Sequence, residues 1–248
     1  MTSPSVRLVV PPQDDAGHLA GWYLLNVHLQ RSLGVGSVVE PGPDEDDFQR
    51  LFGQPSLIVL ANAYQALQGQ REAGWLPVAR PVRTYDELMV LARRNGTDPT
   101  RLPLRVGCAS RHSWLPRAGA VTLAEHGLSQ GECDVVALGS DKAAIDALLR
   151  GDTDLTLLDR RAWSGLVPGV REQLYCVTES QQRRCFSTLC VSPDLAALHG
   201  PLLELLLQLP AHPTGEHLLT DLGYPGFEAV TEQELAPLQA WLVETADA

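Results

Sequence analysis

The chain has 248 residues, 44% of them hydrophobic, and a formal net charge of −11. Such a length supports one large or two small domains around a substantial core, and the composition is that of a globular protein, not a disordered one. The acidic balance speaks against a general binder of nucleic acid or of an anionic membrane, so an anion site here would have to work through short-range donors.

No apolar run reaches the length of a membrane span, which leaves no expectation of direct membrane insertion. The start, Met-Thr-Ser-Pro-Ser-Val-Arg, passes straight into a strand with no charged segment and apolar stretch before it. As it stands the sequence reads as cytoplasmic, or as periplasmic with a leader removed. Cysteines stand at 108, 133, 176, 185 and 190, with no Cys-x-x-Cys pair. In a reducing compartment they read as buried thiols; outside the cell one disulfide among 176, 185 and 190 is conceivable.

In chain order, Val6–Val10 is an apolar run stopped by Pro11-Pro12, which predicts a buried strand. Leu19–Leu33 has helical apolar spacing and ends at Gly34. Ser37–Glu40 is a short strand. The acidic loop Pro41–Asp47 reads as a solvated start to a helix over about Asp46–Phe52, in preference to a metal site. Ser56–Leu60 is a strand running into Ala-Asn-Ala-Tyr at 61–64 and a helix to about Ala73; Trp75–Pro81 is extended. Around Tyr85–Arg93 the pattern fits a helix or a strand. Strands follow at Leu104–Cys108, Asp134–Leu138, Asp154–Leu158, Leu174–Thr178 and Ser187–Ser192, with helices at Trp114–His126 and Lys142–Arg150. The remainder reads as helices over Asp194–Leu209, Thr214–Leu222 and Glu232–Thr245. Strands alternating with helices predict parallel sheets covered on both faces, with ligands at the carboxyl ends of the strands.

The stretch most suggestive of chemistry is Leu104–Pro116, a strand, a small polar turn and a helix start. Amides at a helix start favour an anion. Ser110 and Ser113 add hydroxyls, and Arg111 and His112 add cationic donors. A plain N-cap by serine would account for the same residues.

Nearly the whole chain resembles the substrate-binding proteins of phosphate, phosphite and phosphonate ABC transporters. The likeness rests on Leu-Gly-Val at 33–35, Ala-Asn-Ala-Tyr at 61–64, Thr-Tyr-Asp-Glu-Leu-Met-Val-Leu-Ala-Arg-Arg at 84–94, and Gly139–Asp154 with Leu-Leu-Asp at 157–159. Thr214–Phe227 is similar to the family's last helix and turn. The resemblance implies an α/β fold of the two-lobe type II periplasmic-binding class, its lobes joined by two crossing strands, with ligand in a cleft. Lobe one would hold about 1–95 plus 180–248 and lobe two about 96–179. It also makes Leu88–Leu91 a strand.

Carried over residue by residue, the resemblance implies a ligand set of Tyr85, Ser110, Arg111, His112, Ser113, Ser140, Asp159 and Arg161. The departures matter: Ala109-Ser110-Arg111-His112 replaces the family's hydroxyl-rich seat, Phe48 replaces a tyrosine, and Ser140 replaces a histidine. Carboxylates that hold an amino group in aminophosphonate binders are replaced near Arg161 and Ser187. The expected function is non-catalytic binding of a small oxyanion, either as a transporter component partnered by a permease or as a sensor read by a regulatory protein. A monomer without cofactor or metal is expected. One alternative is a cytosolic enzyme of the same fold acting on a small carboxylate, with His112, Cys108 and Asp159 as the local candidates. Another is an arsenite sensor using Cys108 and Cys185 as thiolates. A lobe pair that has lost its ligand and serves protein interaction is a third.

Overall fold

The computed structural model describes residues 5–11, 16–43, 45–95, 102–181, 183–231, 234–235 and 238–240. The chain divides into two compact units, one drawn from Met1–Tyr85 with Cys185–Gln239, the other built on Asp86–Arg184. The divisions fall at 85/86 and 184/185, where the sequence reading drew 95/96 and 179/180.

In the first unit, β1 (Val6–Val10), α1 (Ala16–Leu33), β2 (Ser37–Pro41), β3 (Leu57–Ala61), α2 (Ala63–Ala73) and β4 (Leu76–Pro81) follow one another. The second unit supplies β5 (Leu88–Arg93), β6 (Leu104–Cys108), α3 (Trp114–Glu125), β7 (Cys133–Ala137), α4 (Asp141–Arg150) and β8 (Leu155–Asp159). It continues with α5 (Arg160–Gly165), α6 (Pro168–Arg171) and β9 (Leu174–Glu179). The chain then returns to the first unit with β10 (Thr188–Val191), α7 (His199–Gln208), α8 (Gly215–Leu222) and β11 (Phe227–Ala229).

Among the described residues the first sheet runs β11-β4-β10-β3-β1-β2 and the second β7-β6-β8-β5-β9. Neither is all-parallel, which corrects the sequence expectation. β1 pairs in parallel with β2 and β3, but β10 and β11 join antiparallel to their neighbours. In the second sheet β6, β7 and β8 run parallel, whereas β5 lies antiparallel between β8 and β9. β5 and β10 arrive from connecting segments with no helical crossover, and they reverse direction; β9 and β11, reached through helices, run with β8 and β10.

β3 is apolar throughout because it is buried on both faces. Ile58 and Leu60 meet Trp22, Leu25 and Leu29 of α1, while Leu57 and Val59 meet Phe48, Leu51 and Trp75. Phe48 stacks edge-on with Phe52 and Trp75, at centroid distances of 6.2 and 5.9 Å, so in this chain it is a core aromatic. In the second unit Leu158 packs with Ile145 and Leu148 of α4, and Leu157 faces α3. α3 approaches so closely that a Cβ on Gly119 would lie 2.5 Å from Leu157 Cδ1.

Two helix expectations are revised. Glu45–Leu51 is a 3-10 helix, and the span from Pro193 is 3-10 to Leu198 and α-helical only from His199. Leu195, at φ −96° and ψ 15°, breaks the regular turn there. The helix expected over Glu232–Thr245 lies largely outside the described residues.

Candidate functional site

Because β6, β7 and β8 are parallel, their carboxyl ends share one edge of the second sheet. Each strand delivers into a helix whose N-cap is a short polar side chain. Ser113 Oγ accepts from Leu115 N at 3.3 Å, Ser140 Oγ from Ala143 N at 3.2 Å, and Asp159 Oδ1 from Arg161 N at 2.7 Å. These caps satisfy part of the donor-rich helix starts and leave the positive ends of the dipoles on that edge. The loops after β6 and β7 are tied together: Leu138 N donates to Cys108 O at 2.9 Å and Gly139 N to Ala109 O at 2.8 Å. Gly139, at φ +85°, makes that turn.

The structure thus gathers Ser110, Arg111, His112, Ser113, Ser140, Asp159 and Arg161 on one edge of one unit. Their side chains have local duties. Ser110, 2% exposed, accepts from His112 N at 2.9 Å through Oγ. Its carbonyl accepts from Ser113 Oγ at 3.3 Å. The Arg111 guanidinium donates to the Val135 carbonyl on β7. His112 is exposed. Tyr85 belongs to the first unit, where the Arg80 guanidinium carbon lies 5.4 Å from its ring and 4.6 Å from that of Phe186. Arg80 also pairs with Glu228 at 3.0 Å and Glu234 at 3.1 Å. Trp163 packs beneath Arg171 at 5.5 Å. His212 stacks against His28 and His217 faces Asp221, so both sit on the first unit.

Cys108 is fully buried and donates its thiol proton toward Ser110 O at 3.4 Å and Val136 O at 3.8 Å. Cys185 is buried in the other unit. Among the described residues, no group of three or more His, Cys, Asp or Glu side chains could hold a metal ion.

Sequence reasoning passed over Asp86 and Asp141. Asp86 is 7% exposed and faces Arg161, with Nη2 at 3.8 Å from Oδ1. The β5–β8 register sets Leu88 opposite Asp159, which brings Asp86 to the same strand end. Burial raises the Asp159 carboxyl to about 7, helped by repulsion from Asp86 and Asp141 and opposed by the Arg161 N–H and guanidinium. Burial alone raises Asp141, in the first turn of α4, to about 6. Glu87 beside them is held by Ser180 Oγ and by Arg183 N, the latter at 3.0 Å. The edge therefore combines helix-start donors with carboxyls that hold protons near neutrality. No signal in Thr-Tyr-Asp-Glu-Leu marks Asp86 for this place; only the pairing of β5 with β8 does.

Comparison with known proteins gives a consistent answer. The family model described as ABC transporter, phosphonate, periplasmic substrate-binding protein matches residues 8–235. No curated protein matches the sequence. Among solved structures, PhnD1 from Prochlorococcus marinus (MIT 9301), in complex with methylphosphonate, has 14% identity and a TM-score of 0.80 over 98% of this chain and 99% of that one. A binding protein component of an ABC phosphonate transporter, PA3383 from Pseudomonas aeruginosa, has 13% identity and a TM-score of 0.76 over 98% and 87%. The aliphatic sulphonate binding protein SsuA from Escherichia coli has 12% identity and a TM-score of 0.69 over 99% and 88%. At these identities the likeness is one of fold, that of the type II periplasmic-binding proteins.

Proposed function

The chain belongs to the phosphonate-binding family of periplasmic substrate-binding proteins of ABC transporters, and we propose that it holds a small tetrahedral oxyanion, of the phosphonate, phosphite or phosphate kind, at the strand-end edge of its second unit. The protein is a non-catalytic binding component. The enzyme and arsenite-sensor readings have no support. The observation that carries the placement is the joining of two helix starts. α3 and α4 begin side by side, their loops hydrogen-bonded through Gly139 N and Ala109 O, so two dipole ends and several amides bear on one place.

In this reading Ser110, Ser113 and Ser140 position the amides, and Ser110 and Ser140 offer hydroxyl protons to the ligand, the Ser113 proton being held by the Ser110 carbonyl. Arg111 and His112 flank the seat, and Asp159 and Arg161 line its side toward α5. The family implies a small ligand, a permease and a periplasmic setting; among the described residues no helix is long and apolar enough to cross a membrane. Capture would bias the protein toward one conformation that the permease reads, through differential affinity for that state.

Native mass spectrometry of the freshly purified protein, repeated with methylphosphonate, phosphite, phosphate, sulfate and arsenite, tests the reading. Retention of one phosphonate-type anion per chain is expected. Retention of none of them, or of arsenite in a Cys108-dependent manner, would overturn it.

A further inference from the structure

The seat is not uniformly positive. Three carboxyls, Asp86, Asp141 and Asp159, converge on it from the start of β5, the first turn of α4 and the end of β8. Arg161 meets two of them, its guanidinium facing Asp86 and its backbone N–H donating to Asp159. The other charges packed around Asp159 are committed elsewhere or face outward. Arg160 of α5 is drawn to Glu179 of β9. Glu87 of the β5 segment is held by Ser180 and Arg183. Arg111, from the loop before α3, goes to the Val135 carbonyl. His112 and Lys142 are exposed. An anion arriving at this edge adds negative charge beside two carboxyls that already repel one another, with Arg161 facing Asp86 and donating its N–H to Asp159.

Resting on the oxyanion reading above, we propose that ligand capture is coupled to uptake of a proton by the Asp86–Asp159 carboxyl pair. A nearby anion raises the proton affinity of a carboxyl. By reciprocity, the protonated pair binds the anion more tightly. The proton comes from solvent and resides on a carboxylate oxygen, turning an acceptor into an O–H that can donate to a ligand oxygen. The elevated Asp159 titration, caused first by burial and then by Asp86, is consistent with a site poised for this near neutral pH. Affinity therefore falls as pH rises above neutrality, beyond any change in the ligand's own ionisation.

The test is calorimetric titration of the full chain with methylphosphonate and with phosphate at pH 6, 7 and 8, in buffers of differing ionisation enthalpy. The wild type is compared with Asp159→Asn and Asp86→Asn. Asparagine is a competent N-cap, so the first variant preserves the start of α5. The ligand's own ionisation contributes alike to all three proteins and cancels. The wild type is expected to take up more protons than either variant, and to lose affinity relative to Asp159→Asn by up to about tenfold per pH unit above about 7, the limit for one linked proton. Equal proton uptake in the wild type and both variants, with binding retained, overturns the coupling and leaves the oxyanion reading intact. No binding of any anion by the wild type at any pH overturns both.

Discussion

Asp159 does two things that pull in opposite directions. As an ionised side chain it caps α5 through Arg161 N; as a carboxyl crowded by Asp86 and Asp141 it favours its proton. A folded-state titration raised from 3.8 means that its contribution to stability is full below the unfolded value and is lost as pH climbs toward about 7. The Asp159→Asn variant lacks this loss. Differential scanning calorimetry at pH 5 and pH 8 should show the variant gaining on the wild type as pH rises; a constant gap in Tm would contradict this account of Asp159. Asp194 and Glu234, whose titration is depressed, act elsewhere in the pH range, giving up stability only as pH falls through their lowered values. At this scale the sequence showed the capping serines well, because a serine before a helix is a local signal. Asp86 was invisible since its neighbour Asp159 lies 73 positions on, through a strand register. Phe48 was read by what it lacks, a hydroxyl, while its actual role is packing against Phe52 and Trp75.

At the scale of elements, the seat depends on α3 lying tightly against β8. Gly119 permits that approach, since any larger residue meets Leu157. Gly119→Val should cost about 1–3 kcal/mol through overpacking and weaken anion binding by displacing the helix start that carries Ser113. Denaturant unfolding with a parallel ligand titration checks both. A fully stable variant with wild-type affinity would show that the helix position is not limiting. Most strands and helices were legible from apolar runs and punctuation by Gly and Pro. β5 was not, because Leu88–Ala92 is buried on both faces between β8 and β9 and so shows no alternation. Family resemblance, not periodicity, made it a strand. Strand direction was also beyond local reading: β5 runs against β6, β7, β8 and β9, and β10 and β11 run against the other strands of the first sheet, because of where the chain returns.

For the whole molecule, a net charge of −11 opposes the approach of an anion. The seat must succeed by short-range amides, hydroxyls and shared protons against that field. Added salt screens the long-range repulsion and leaves the close contacts largely intact. Stopped-flow measurements from low to moderate ionic strength should therefore show the association rate constant for phosphate rising with salt; a steep fall would point to an electropositive funnel that this account does not contain. The central claim, a phosphonate-type anion at the helix starts of the second unit, is tested most directly by hydrogen exchange of the intact chain with and without saturating methylphosphonate. The account predicts slowed exchange in residues 109–116 and 139–144. Saturable binding with unchanged exchange in both segments would contradict it.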